Sequence, residues 1–479
     1  MPPEESGTNT ASKSHAESYL KLQMKSRLPF WLIGSCALAV IGVSVCNRQL
    51  LIKKVSSVVD VKSAGKRESS NGLFSMMLVS QGGDDEIDRA IRSLQEQIRV
   101  KPEADEAIKR LGWKFVIKAR LSCDPGYYRL AEACAQYVRA RRDDDPDALL
   151  LEGHVLQSLH RFKEGERVAR RLVEVRKESA DFGLLGDQLM EQGRLGDATS
   201  AYQKMVDLRP DLESYMRVAH LRWLKGDLEG AIEVTRMAVA GSSPIEPEPS
   251  AWAYTRLGVY QLQTGDSEAA AASADLALQF CKNYAPGLLL RGKVLLVLGK
   301  FGTAIDSLQR AVTVNPIPEY QWILADALQA AARWTEAAEV EAGLMRNGEI
   351  NDPRTFSLFL ASRGKEIQHA LELARAELNT RADVFSMDAV AWALAANGRL
   401  TEARQYSERA LNEGTQDARL FYHAGSIAKA MGKESEARAF FLRAEKFKQS
   451  LTPSERADFN KQFAAVLDPG SSGSSVRSN

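Results

Sequence analysis

Apolar residues return every three to four positions almost without a break from Glu86 to about Gln462, and polar residues fill the positions between. That period is the one that gives a helix a single greasy face. Breaks in the pattern are short and regularly spaced. The turns at His160-Arg161-Phe162, Gly193-Arg194-Leu195, Gly226-Asp227-Leu228, Gly265-Asp266-Ser267 and Gly299-Lys300-Phe301 step forward by 33, 33, 39 and 34 residues. Ala332-Arg333-Trp334 and Gly364-Lys365-Glu366 are less regular, and Gly398-Arg399-Leu400 and Gly432-Lys433-Glu434 restore the beat. Self-similarity at this interval predicts stacked helical hairpins, each unable to bury its apolar face without a neighbour.

Small residues recur with the turns. Ala198, Ala231, Ala270, Ala304, Ala337, Ala370, Ala403 and Ala437 each follow a turn by about five residues, where a bulky side chain would hold paired helices apart. Gly186 and Gly292 hold matching places before their turns, and Pro210 and Pro316 close their units. A helix over 88–100, with Ile91, Leu94 and Ile98 on one face, reads as the unpaired second helix of a hairpin. A longer pair is expected over 104–119 and 127–141, joined by a connection about seven residues longer than later turns.

These features resemble the tetratricopeptide repeat family over roughly residues 86 to 450: Leu185-Gly186, Leu257-Gly258 and Arg291-Gly292 in first helices, alanines in second helices, and prolines at the ends of units. Ala219, Ala325 and Ala391 replace the first-helix glycine in three units, and the units around Pro244–Pro249 and Arg363 are irregular. The resemblance implies an all-α, right-handed superhelical solenoid whose first helices line a concave groove that holds peptides or partner helices. It implies no chemistry. Some relatives grip a C-terminal carboxylate through Lys, Arg and Asn on successive first helices; His154, Asp187 and His220 stand here where the asparagines are expected, which disfavours that ligand and favours an apolar or mixed one. Register points His154, Asp187, His220, Trp223, Lys293, Trp322, Asp326, Trp392, Tyr422 and Lys429 towards the groove, a set of aromatic rings beside single charges suited to anchoring a protein or peptide partner.

Outside the array, residues 1–26 are polar and expected to be disordered. Twenty residues without a charge, Leu28 to Asn47, follow. As a helix they reach about 30 Å, the thickness of a hydrocarbon core, so one membrane crossing at 28–47 is expected. A cleaved secretory signal competes but lacks a small-residue cleavage site at Val43-Ser44-Val45-Cys46, and a lipidation box at Ile33-Gly34-Ser35-Cys36 is followed by further apolar chain. Basic residues flank the segment on both sides, so the positive-inside rule fixes no orientation; export of the array to an extracytoplasmic, periplasmic side is the expectation. A flexible linker over 48–85, divergent helical repeats over 86–145, the regular array over 146–462 and a Gly/Ser tail over 463–479 complete the organisation.

Composition narrows the function. Lys plus Arg number 63 and Asp plus Glu 62, a balance that gives nucleic acid no general attraction. The histidines form no HExxH, and Gly292 to Gly299-Lys300-Phe301 fails as a phosphate loop because its spacing is too long and Phe301 stands where Ser or Thr would hold a metal. No metal, cofactor or catalytic residue is expected, and the chain is not expected to be an enzyme. Cys123 and Cys134 either cross-link a loop to a helix or remain thiols, with Cys134 packed. The function expected is that of a membrane-anchored scaffold for protein–protein interaction in an envelope assembly or secretion process, with an assembly chaperone for exported or unfolded clients as the alternative.

Overall fold

The structure is a computed structural model and describes residues 66–468. The expected membrane segment at Leu28–Asn47 and the part of the expected tail beyond Asp468 lie outside the described residues, whereas residues 463–467, expected to begin that tail, are helical; among the residues described, no helix is long and apolar enough to cross a membrane. Twenty-three α-helices and one short 3-10 turn are present, with no strand among the described residues. Helices α1 (Lys66–Met77) and α2 (Glu86–Val100) precede ten hairpins. These are α3 (Asp105–Ser122) with α4 (Gly126–Arg139), α5 (Pro146–Ser158) with α6 (Phe162–Val175), α7 (Ser179–Glu191) with α8 (Leu195–Leu208), α9 (Leu212–Leu224) with α10 (Leu228–Val239), and α11 (Pro247–Gln263) with α12 (Ser267–Phe280). They continue as α13 (Ala285–Val297) with α14 (Phe301–Val314), α15 (Pro318–Ala330) with α16 (Trp334–Asn351), α17 (Pro353–Arg363) with α18 (Ile367–Thr380), α19 (Val384–Ala396) with α20 (Leu400–Leu411), and α21 (Ala418–Ala430) with α22 (Glu434–Glu445). The 3-10 turn Lys448–Ser450 leads to the last helix, α23 (Pro453–Leu467).

Local chemistry sets the ends of these helices. Asp145, Asp211, Asp352, Asp383 and Asp417 each precede a first helix and accept a backbone N–H from its first turn, which satisfies one of the donors that a helix start leaves open. Each hairpin turns on a residue in the left-handed region. At Gly193 (φ 73°) its N–H donates to Met190 O at 2.9 Å while Arg194 N–H donates to Leu189 O at 3.0 Å, the paired bonds that close a helix end. His160 and Ala332 take this conformation without being glycine, both at φ 57°. Inside the hairpins, Ala198, Ala231, Ala304 and Ala403 are fully buried, and a Cβ on Gly186 would overlap the Tyr202 ring. These small residues let the paired helices approach.

Two expectations are corrected, and one open alternative is settled. The connection between α3 and α4 is short, because the additional residues extend α3 to Ser122 and Cys123 closes it in the left-handed region at φ 53°. The tether expected over 48–85 contains α1, which packs on α4: the Phe74 ring meets Tyr137 at a tilt, 5.5 Å between centroids, and Met77 is fully buried with its carbonyl accepting from Gln95 Nε2 at 2.9 Å. Cys123 and Cys134 are both free thiols, and Cys134 is buried between α3 and α4.

The superhelix also meets itself. Cys123 Sγ lies 3.7 Å from Val314 O, Lys225 Nζ 3.3 Å from Glu413 Oε2, and Thr415 Oγ1 donates to Leu224 O at 2.5 Å, with sequence separations of 191, 188 and 191 residues. About six hairpins therefore make one turn, and successive turns touch. Hairpin turns of the first pack on loops that connect hairpins in the second. Apolar residues from both turns share one cluster, in which Leu195, Trp223, Leu224 and Leu228 pack with Val384, Phe385 and Phe447.

Candidate functional site

Because the turns touch, the concave face narrows to a partly open chamber. A chamber of about 820 Å³ lies inside, walled by α9, α11, α13, α15, α17, α19, α20 and α21. That volume falls within the range of about 300–1,000 Å³ in which proteins bury ligands. Its lining mixes apolar and aromatic residues, among them Trp223, Trp252, Val259, Leu289, Leu290 and Phe385, with charged ones.

Most of those charges are balanced within the chain. Lys293 Nζ meets Glu319 Oε1 at 2.9 Å, Arg354 meets Asp383 at 2.9 Å, Arg419 meets Glu455 at 2.6 Å, and Lys225 takes up Glu413. Burial pushes Glu319 up, yet the Lys293 ammonium and its hydrogen bond outweigh burial and hold the carboxyl below its ordinary range. Arg256 differs. Among the described residues no carboxylate pairs with it; its Nη2 lies 2.9 Å from Tyr260 Oη and 3.3 Å from His220 Nδ1, and its guanidinium sits over the rings of Tyr260 and Trp223 at 4.8 and 5.5 Å. Its Nε is buried and has no hydrogen-bond partner. Burial, and then Arg256, hold His220 well below its ordinary pKa. The ring stays neutral, and its Nδ1 can accept from the guanidinium. Arg256 is thus a half-buried cation among aromatic rings with no carboxylate beside it among the described residues, placed to receive an anionic group from outside the chain.

Of the ten residues that register points inward, His220, Trp223 and Lys293 line the chamber. Trp223 Nε1 donates to Gln263 Oε1 at 2.9 Å, and its ring stacks on Phe385 at 5.6 Å, joining the two turns. The other seven are engaged elsewhere in the chain. His154 is buried beside Trp113, ring to ring at 5.2 Å. Asp187 accepts from Arg217 and from Tyr202 Oη, all bonds of 2.8 to 2.9 Å. Trp322 is buried, edge-on to Phe359 at 5.6 Å, and Trp392 stacks on His423 at 4.0 Å. Asp326, Tyr422 and Lys429 are covered by α23 and its lead-in: Asp326 accepts from Ser454 N and Oγ at 3.0 and 2.5 Å, Tyr422 Oη donates to Asp458 at 2.6 Å, and Lys429 Nζ reaches Gln462 O at 3.5 Å. The final helix occupies this stretch of the concave face because Glu455 pairs with Arg419 and Phe459 packs on Phe441 and Tyr422.

Arg256, Trp252 and Phe385 escaped the reading of the sequence. One signal was available: four residues either side of Arg256 stand Trp252 and Tyr260, so the helix offers it rings where an i,i+4 acid would have balanced it.

Residues 184–244 and 289–349, and separately 418–450, match the tetratricopeptide repeat. No curated protein matches the chain. Among solved structures, similarity extends to pilF of Pseudomonas aeruginosa, 16% identical over 43% of this chain and 93% of that one, with a TM-score of 0.37. Human IFIT1, solved as a dimer with PPP-AAAA, is 13% identical over 81% of this chain and 96% of that one, with a TM-score of 0.42. YrrB, described as a tetratricopeptide repeat protein with an unusual peptide-binding site, is 11% identical over 38% and 92%, with a TM-score of 0.28. The described chain is an all-helical solenoid of stacked hairpins that contains tetratricopeptide repeats at residues 184–244, 289–349 and 418–450, a scaffold suited to protein–protein interaction.

Proposed function

We propose that this chain is a membrane-tethered scaffold that holds a segment of one protein partner in its central chamber, serves an envelope assembly or secretion process, and does no chemistry of its own. The uncompensated Arg256 carries the reading. A peptide with an acidic group beside aromatic or aliphatic side chains would neutralise Arg256 and bury its apolar part against Trp223, Trp252 and Val259. A walled chamber of this size favours a defined partner over the broad surface that a holder of unfolded clients would need. The uncharged run Leu28–Asn47 supports the tether, and a short N-terminal anchor of this kind supports an array on the extracytoplasmic side. Nucleic acid is disfavoured by the balance of charge.

The test is affinity recovery from detergent extract with the full chain and with Arg256→Glu. A single stoichiometric partner, reduced at least about tenfold by the substitution, is expected. Recovery of no partner above background, or recovery that Arg256→Glu leaves unchanged, would count against the reading. A topology reporter fused after Asn479 decides the membrane side, and activity of that reporter in the cytoplasm would sink the extracytoplasmic placement.

A further inference from the structure

The surface through which the two superhelical turns pack continues along the second turn, where no described residue covers it. In the first turn, hairpin turns are covered: a Cβ on Gly193 would overlap Ala382 O, one on Gly226 would overlap Gly414 O, and Gly265 faces Gln449. The apolar residues of these turns are sealed, Leu195 at 5% and Leu228 at 6% exposed, and Phe162 lies under the Arg381 guanidinium at 5.3 Å. In the second turn the same positions are bare. Among the described residues, no atom lies within 4 Å of where a Cβ would stand on Gly299, Gly364, Gly398 or Gly432. Phe301 is 39% exposed and Trp334 65%, although they occupy the register of Phe162 and Leu195.

The opposite rim shows the complementary surface. Internally, the covering partner is a set of connecting loops with apolar residues beside them, Val384, Phe385 and Phe447. In the first turn, Val175, Leu208 and Ile245, which stand beside the connecting loops after α6, α8 and α10, are exposed among the described residues. The helices from Asp105 to Leu467 span about two repeats of the 188 to 191 residues that separate touching turns. A third turn would be needed to cover the second.

We propose that a second copy of this chain supplies that turn, seating its first-turn connecting loops on the hairpin turns around Phe301 and Trp334 in the register with which the chain packs on itself. Every copy then presents one free rim of each kind. The contact is heterologous, so assembly is head to tail and does not stop at two.

Sedimentation equilibrium of the full chain in density-matched detergent tests this. The weight-average mass is expected to rise beyond the dimer across two decades of micromolar concentration. Trp334→Glu removes one rim and Leu208→Glu the other, so each alone is expected to stop the growth. Because both side chains are exposed, melting midpoints are expected to stay at the wild-type value, and Phe301→Glu serves as a second variant of the first rim. An equimolar mixture of the Trp334→Glu and Leu208→Glu chains retains one intact rim of each kind, and is expected to form a dimer that grows no further. A wild-type mass that does not change with concentration, association that the substitutions leave unchanged, or a mixture that fails to pair would overturn the proposal.

Discussion

Gly193 lies against the carbonyl of Ala382, so close that no side chain could stand between them. Its backbone is left-handed at φ 73°, and so is that of Gly398, also at 73°, but Gly398 faces open space. Alanine at either position incurs the left-handed penalty of about 1–2 kcal/mol, and only at Gly193 does it also push two superhelical turns apart. Gly193→Ala is therefore expected to destabilise the protein by roughly 2 kcal/mol more than Gly398→Ala, since overpacking typically adds about 1–3 kcal/mol. Urea denaturation of the two variants provides the comparison. Equal losses would mean that contact between the turns contributes nothing.

Glu191 and Arg381 make a second contact between turns, with Arg381 Nε 2.6 Å from Glu191 Oε2 and both side chains buried. The N–H is not aligned with the carboxylate, so this is a charge contact and not a good hydrogen bond. Burial pushes Glu191 up, and Arg381 opposes it. Removing one partner of a buried pair costs about 3–5 kcal/mol, whereas replacing both by apolar groups is often close to neutral. Glu191→Leu is expected to lower stability on that scale, and Glu191→Leu with Arg381→Met to restore most of it. A double variant as unstable as the single one would show that the charges themselves are required.

Ala332 holds a left-handed conformation where most of the other turns have glycine, and its side chain is exposed. Glycine removes the Cβ strain but adds freedom to the unfolded chain, which offsets roughly half of the gain. Ala332→Gly is expected to raise stability by up to about 1 kcal/mol, visible as a higher melting midpoint. A lower midpoint would mean that this turn carries no strain.

Two buried histidines are expected to make the fold sensitive to mild acid. Burial, with Arg120 and Arg217 adding to it, pulls His154 down to about 3, and His220 is held well below its ordinary value by burial and Arg256. In the unfolded chain both take a proton near pH 6.5. Their contribution to stability is complete above that value and is lost as pH falls from about 6.5 towards 3, at up to about 1.4 kcal/mol per pH unit for each ring. Urea midpoints at pH 7.5 and 5.5 measure the loss, and His154→Gln is expected to flatten the dependence. A midpoint that does not move across this interval would show that the rings protonate in place.

What the sequence disclosed and what it hid divide by distance along the chain. The turns at His160, Gly193, Gly226, Gly265 and Gly299 and the alanines after them were legible, because helix ends and hairpin packing depend on residues a few positions apart. Ala332 was recognised as a turn by its place in the beat despite lacking glycine. The contact of Gly193 with Ala382 was not legible, since a period of about 34 residues describes neighbouring hairpins and says nothing of those six units away. The same gap explains the site. Register put Asp326, Tyr422 and Lys429 on the concave face, but only folding brings Ser454, Asp458 and Gln462 over them.

The spacing of touching turns also orders events during synthesis. Leu195, Trp223 and Leu228 emerge from the ribosome long before Val384 and Phe385, the residues that will cover them. At about 5–20 residues per second, the wait is roughly 10–40 s. Through that interval the nascent chain presents a greasy edge to the cell, so truncation or stalling between Leu228 and Val384 would leave a product prone to clumping.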